Sequence, residues 1–227
     1  MKDSLSKKNV ASIDCWFFPM KMEMGKNLSK DAKRIWDGNA GGSSAVSEVI
    51  SFEIMHSCFD AKLYKAENEV CYSHDGMKKI DYVCNISDTK IGVSVVRVFQ
   101  KSEYGDVESE YIKELMMKKL EGIIQASICR VEKWNRNVLH VFVEHESVCK
   151  KVLQVFEGIS DNTKMNTILL VTITINSRFI YTNKKINEET LFTELDFEDG
   201  CCADDSIPDD ELYQALYGEN VDGDASE

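Results

Sequence analysis

Residues 62–99 read KLYKAENEVCYSHDGMKKIDYVCNISDTKIGVSVVRVF, and the fold turns on how this stretch is read. Apolar and β-branched residues fall into three runs, which predict strands over Lys62–Tyr72, Lys78–Ile86 and Lys90–Phe99. In the first run Leu63, Lys65, Glu67, Glu69 and Cys71 alternate with Tyr64, Ala66, Val70 and Tyr72. The second run sets Asp81, Val83 and Asn85 against Ile80, Tyr82, Cys84 and Ile86. The third is nearly continuous in apolar residues from Ile91 to Phe99, as expected of a strand covered on both faces. Turn signals separate the runs, His74-Asp-Gly76 and Ser87-Asp-Thr89, and Asp-Gly is a strong hairpin signal. Together they predict a three-stranded meander.

Upstream, Val46, Val49, Ile50 and Ile54 repeat at helical spacing and predict a helix capped by Ser43 or Ser44 and ending near Phe59. Downstream, Ile112, Leu115, Met116, Leu120, Ile123 and Ile124 define the buried stripe of a long helix over Asp106–Ala126. Trp134–Asn137 reads as a turn and Val138–Glu144 as a strand. A helix from Ser147 through Phe156, a loop over Gly158–Met165 and a strand over Thr167–Ile175 follow, with a short last strand at Phe179–Tyr181. Strand, helix, strand from Leu139 to Ile175 predicts a parallel, right-handed crossover. Before the core, Cys15–Met20 reads as a short docked strand, Ser29–Asp37 as a short helix with Ser29 as N-cap, and Gly38–Ser43 as a flexible break. The expected class is α/β: a mixed central sheet in αβββαβ order flanked by helices, with an added helix and strand, and disordered tails.

The net charge of −12 conceals an uneven distribution. Fifteen of the 39 acids lie in residues 187–227, which hold no Lys or Arg; residues 1–186 therefore carry 24 acids against 27 bases, a net of +3. The chain divides into a basic flexible leader over 1–42, an α/β domain over 43–186 and an acidic, largely disordered tail over 187–227. Such asymmetry fits a polyanion-binding body with a competing tail, against the plainer reading of a solubilising tail. Within the tail, Ser206 and Pro208 are helix-start signals, and a short helix over 207–217 would put Leu212, Tyr213, Leu216 and Tyr217 on one face for a protein partner.

The eight cysteines show no C-x-x-C spacing, so neither a zinc site nor a disulfide framework is read from them. Met1–Val10 lacks an apolar signal-peptide core, and no apolar run approaches membrane-spanning length. The expectation is an intracellular protein, cytoplasmic or nuclear, neither secreted nor membrane-bound. Phosphate-loop, dinucleotide-loop, serine-hydrolase and H-E-x-x-H motifs are all absent.

The element order, with Asp81 early in the second strand, resembles the core of the PD-(D/E)XK nuclease superfamily. That resemblance implies a divalent metal, Mg²⁺, held by Asp81 and a second acid on the third strand, with a Lys two residues later to orient or activate water. Hard cations take carboxylate oxygens, and the metal polarises phosphate and lowers the pKa of water. Ile80 stands where the motif's name has Pro. The acid-x-Lys slots fall on Ser94 and Val96, or on Val95 and Arg97, so neither supplies a carboxylate. Arg97 offers a cation but stays protonated, which makes it a poor base. Replacement ligands are Glu53, Glu67 or Glu69, and replacement lysines are Lys118 or Lys119. Glu53 falls on the apolar stripe of its helix, between Val49 and Ile50 in projection, and an inward carboxylate needs a metal, a Lys or a backbone N–H.

Three functions follow. The first is a nuclease-like protein with a degenerate catalytic set that binds nucleic acid or protein, with Lys78, Lys79, Lys118 and Lys119 as a nucleic-acid contact. The second is an active Mg²⁺-dependent nuclease using a rearranged site of Asp81, Glu53 and Lys118 or Lys119. The third is an adaptor working through its acidic tail.

Overall fold

A computed structural model describes residues 13–18, 28–38, 44–99, 107–174 and 178–181. The meander predicted at residues 62–99 is present as β2 (Lys62–Ala66), β3 (Tyr82–Ile86) and β4 (Thr89–Arg97), antiparallel in turn. Helix α1 (Lys30–Gly38) and helix α2 (Ala45–Phe59) precede it, and helix α3 (Ser109–Cys129) follows it. Strand β5 (Arg136–Val143), helix α4 (Glu146–Gly158), a single turn α5 (Asp161–Lys164) and strand β6 (Thr167–Thr174) complete the order. With β1 (Ile13–Phe18) on the far edge, the six strands run β1-β6-β5-β4-β3-β2. From β4 to β1 every pairing is parallel, so the sheet is mixed and its α2–β2–β3–β4–α3–β5 core has the αβββαβ order.

Each face of the sheet carries its own core. On one face Tyr82, Cys84, Val93, Val95, Phe142 and Leu170 meet α1 and α2. On the other Val96, Leu139, Val141, Val143, Leu169 and Val171 meet α3 and α4. Central β4 and β5 are therefore covered on both sides, which explains the near-continuous apolar run of β4. Helix α2 is buried all round from Val46 to Met55, because it touches β4, the 3₁₀ turn at Arg178–Tyr181 and α1. A helix so enclosed has no solvent-facing side, its polar Ser47, Glu48, Ser51 and Glu53 are buried too, and the expected four-residue stripe understates its burial.

Several predicted boundaries move for physical reasons. The first strand stops at Ala66, not Tyr72: a bulge between Leu63 and Lys65 breaks the alternation, and Glu67–Glu69 form a 3₁₀ turn. Glu69 closes that turn by accepting from the Ala66 N–H at 2.9 Å. The second strand starts at Tyr82, so Lys78–Ile80 lie outside the sheet. Ser44 stands at the start of α2 but is itself helical, and its side chain makes no capping bond. By contrast, the Ser29 hydroxyl does cap α1, accepting from the Ala32 N–H at 3.1 Å. Phe179–Tyr181 belongs to the 3₁₀ turn rather than to a strand, and Asp161–Lys164 form a turn of helix inside the predicted loop. The expected helix over 207–217, with Leu212, Tyr213, Leu216 and Tyr217, lies outside the described residues. Among the described residues no helix is long and apolar enough to cross a membrane.

Candidate functional site

The geometry around Asp81 begins with a missing rung. The β3–β4 ladder ends at Tyr82 opposite Val93, followed by a bond from the Asp81 N–H to the Val93 carbonyl at 3.0 Å. Val95, two residues further along β4, has no β3 residue to receive its N–H, and the Asp81 carboxylate takes it at 2.5 Å through Oδ2. The same oxygen accepts from the Ser94 hydroxyl at 3.2 Å, and the Lys119 ammonium of α3 stands 3.8 Å away. Ser94 occupies the slot in which the sequence reading expected an acid, and it faces Asp81 directly. Val96, in the lysine slot, is buried in the core beneath α3.

Replacing Asp81 removes the acceptor of a buried N–H. Asp81→Ala should cost about 1–3 kcal/mol in urea unfolding, whereas Asp81→Asn, which keeps an acceptor, should cost clearly less. Equal midpoints for the two variants would show that Val95 does not depend on this carboxylate.

Glu67 joins the same place from its 3₁₀ turn. It is half-buried, and burial pushes its carboxyl pKa up, with the negative Asp81 adding to the rise and Lys79 and Lys119 opposing it. The Tyr72 phenol closes one side. It accepts from the Ile80 N–H at 3.1 Å, and burial pushes its pKa up to about 12, with Glu67 and Asp81 contributing to the rise. Lys78 backs onto α3 at Gly122, where an added Cβ would meet the Lys78 Cβ at 3.8 Å. Lys118 and Lys119 lie four and three residues before Gly122, one turn along the helix. Thus Asp81, Glu67, Lys79 and Lys119 meet on the α3 side of the sheet, with Lys78 and Lys118 at the border and Glu114 and Glu121 of α3 beside Lys118.

The other candidates lie elsewhere. Glu53 is on α2, against the opposite face, where its carboxylate accepts from the Ser29 N–H at 2.6 Å. The inward acid thus ties the start of α1 to α2, and the structure does not bring it to Asp81. Arg97 also points to the α2 face. Its guanidinium donates to the Ile180 carbonyl at 3.2 Å; burial lowers its pKa, and buried Glu48 raises it. Glu69 pairs with Arg34 at 2.7 Å. No group of three or more His, Cys, Asp or Glu side chains converges as a metal site among the described residues. Asp81 and Glu67 therefore form an acid pair, which suits Mg²⁺ only where waters and a phosphate complete the shell.

A second constellation corresponds to no linear motif. Ser51 Oγ lies 2.7 Å from Tyr82 Oη and 2.8 Å from His140 Nδ1, while His140 Nε2 lies 2.8 Å from Thr172 Oγ1. The Ser–His contact has the length of a nucleophile–base pair. Yet all four residues are fully buried between α2 and the sheet, and a hydroxyl rather than a carboxylate stands behind the ring. A substrate has no route to it, so the chain of bonds fastens α2 to β3, β5 and β6. Its sequence signal was Ser51 and His140 at positions otherwise apolar, but nothing in the linear order joins residues 89 apart.

No family model matches the chain. It is similar to the AAC-rich mRNA clone AAC4 protein of Dictyostelium discoideum, 35% identical over 161 residues, which cover 68% of this chain and 24% of that protein. The chain thus spans about a quarter of the length of that relative. Among solved structures, the Pyrococcus furiosus SfsA in complex with Ca²⁺ aligns over 61% of this chain and 63% of that one, with 14% identity and a TM-score of 0.27. A TM-score of that size leaves the argument to the topology and the residues described above.

Proposed function

We propose that this chain is a PD-(D/E)XK-like protein with a degenerate catalytic set, which binds nucleic acid through Lys78, Lys79, Lys118 and Lys119. The observation that carries the reading is the pair of slots opposite Asp81. Ser94 stands in place of the second acid and buried Val96 in place of the lysine, while Asp81 itself spans the gap in the β3–β4 ladder. What persists is a lysine-bordered surface suited to a phosphate backbone, whose binding depends on cation count and salt.

Binding to short single- and double-stranded DNA and RNA, followed across salt, tests this. Replacing the four lysines by Ala should flatten the slope of log affinity against log salt by about 3–4. An unchanged slope would move nucleic acid off this surface.

A second reading has one observation in its favour. Burial, with the negative Asp81 adding to it, raises the Glu67 carboxyl pKa beside Lys119, and two acids with a lysine are the groups that a Mg²⁺-dependent nuclease needs. In this reading Asp81 and Glu67 would hold Mg²⁺, which would supply Lewis-acid polarisation of a phosphate ester, and Lys119 would steady water or phosphate. Calorimetric titration with Mg²⁺ and Mn²⁺, on the intact chain and on Asp81→Ala, separates the two. A one-to-one site lost with Asp81 would favour the nuclease. Indistinguishable titrations, with only the acidic segment's background, are expected for the degenerate platform.

A further inference from the structure

We infer that residues 187–227 of this same chain occupy the Lys78, Lys79, Lys118 and Lys119 surface and compete there with nucleic acid; the competition, though not the occupancy, rests on the function proposed above. The surface presents lysines that no carboxylate of the described residues pairs with. Asp81 is engaged by Lys119, and Glu67 is half-desolvated between Lys79 and Lys119. Lys78, Lys79 and Lys118 are exposed, and among the described residues none of them makes an ion pair or a hydrogen bond. Asp81 and Glu67 thus meet Lys119 and Lys79, while Lys78 and Lys118 add ammonium groups at the border, where Glu114 and Glu121 of α3 stand one turn from Lys118 without pairing to it.

The complementary charge sits on the same chain. Residues 187–227 carry fifteen acids and no Lys or Arg. The described chain ends at Tyr181, whose hydroxyl lies 2.7 Å from Thr174 Oγ1 and whose ring packs against Phe99. One residue earlier, the Ile180 carbonyl holds Arg97, so this end of the chain is anchored at the tip of β4. Arg97 is three residues from Ser94, the partner of Asp81, a separation of about 10 Å along the strand. Seven residues span at most about 25 Å, so Glu188 and all later acids have the length to reach around the sheet end to the lysines. Tethering makes the encounter intramolecular and raises the local concentration of carboxylates above that of any free polyanion. A second copy of the chain brings the same acids without that advantage.

Zero-length carbodiimide coupling of lysine amines to carboxylates, read by peptide mass spectrometry on the full chain at low salt, tests occupancy directly. Amide links should join Lys78, Lys79, Lys118 or Lys119 to acids of 188–227, independently of protein concentration, and should fade at high salt as charges are screened. Links absent while these amines still react with an acylating reagent, or links that grow with concentration, overturn intramolecular occupancy. For competition, the fifteen acids are replaced by Asn and Gln in the full chain, with and without the four Lys→Ala changes. With the lysines present, neutralisation should tighten DNA binding by roughly tenfold or more at low salt. Without them the gain should vanish. An equal gain in both backgrounds would reflect net charge alone and overturn competition at this surface. If no form binds nucleic acid, the proposed function fails, and the cross-links alone decide whether the segment occupies the surface.

Discussion

Gly92→Ala is expected to destabilise the fold by about 2–3 kcal/mol, which for a chain of this size lowers Tm by about 5–10 °C. Gly92 sits in the middle of β4, paired with Val83 on one side and Asn137 on the other. On the α3 side the Trp134 indole packs against it. A Cβ at this position would come within 2.7 Å of Trp134 Nε1, 2.8 Å of Cε2 and 2.9 Å of Ile80 Cδ1. Ile80 Cδ1 is a terminal methyl that can turn aside, but the indole cannot. Trp134 Nε1 donates to Asn137 Oδ1 at 2.7 Å, and the Arg130 guanidinium stacks on the ring 4.5 Å from its centroid. Asn137 is held in turn by Asn166 at 2.8 Å, so moving the indole would disturb a connected polar set. Gly158 supplies the control. It ends α4, and an added Cβ there meets nothing within 4 Å. Gly158→Ala should be neutral or mildly stabilising, since Ala is the better helix residue. Urea unfolding of both variants decides the matter, and matching midpoints would mean that Trp134 yields without cost.

The meander and its flanking helices were legible because two periods, near two and near 3.6, are written into residues 43–144. Local chemistry that those periods do not encode was not legible. The bulge at Leu63–Lys65 depends on pairing with β3, and the end of β2 at Ala66 depends on a Glu69 carboxylate closing its own turn. The same limit governs the site. Asp81 could be named from its place early in a strand, and Lys119 from its position off the buried stripe of α3. Their proximity needed α3 to be laid across the sheet. Glu53 illustrates the opposite case: its inward direction was readable, but its partner, the Ser29 N–H, is 24 residues away on a separate helix. Parity along β4 also explains why Arg97 falls away from Asp81. Ser94 and Val96 face α3, so Arg97 must face α2. The same parity fixes Tyr82 and His140 on the α2 face, and there the fold holds a buried imidazole that makes its stability depend on pH.

Stability should fall steadily as pH drops from about 6.5 toward 3, by about 1.4 kcal/mol per unit on account of His140 alone. The ring is fully buried, and burial lowers its pKa from the ordinary value of 6.5 to about 3. Hydrogen-bond geometry is not the obstacle to protonation. Ser51 and Thr172 are hydroxyls that can accept from both ring nitrogens, with Tyr82 taking up the change beyond Ser51. The cost is desolvation of a cation: Phe142 packs 4.5 Å from the ring centroid, and burial is the only cause of the shift. The unfolded chain takes the proton near pH 6.5, while the folded chain refuses it until about pH 3. Unfolding therefore gains protons throughout that window. The full contribution is present above pH 6.5 and is eroded below it. Between pH 6.5 and 5, where ordinary carboxylates titrate little, the loss should be about 2 kcal/mol. His140→Phe retains an aromatic ring beside Phe142 but cannot bind a proton. Its absolute stability will differ, because Thr172 loses its partner, so the informative readout is the slope of unfolding free energy against pH. A flatter slope than the parent's is expected over this range. Parallel slopes would show that the imidazole is protonated inside the fold, which would require water or a counter-charge to reach the α2 face and would open the Ser51–His140 pair to chemistry that its burial now forbids.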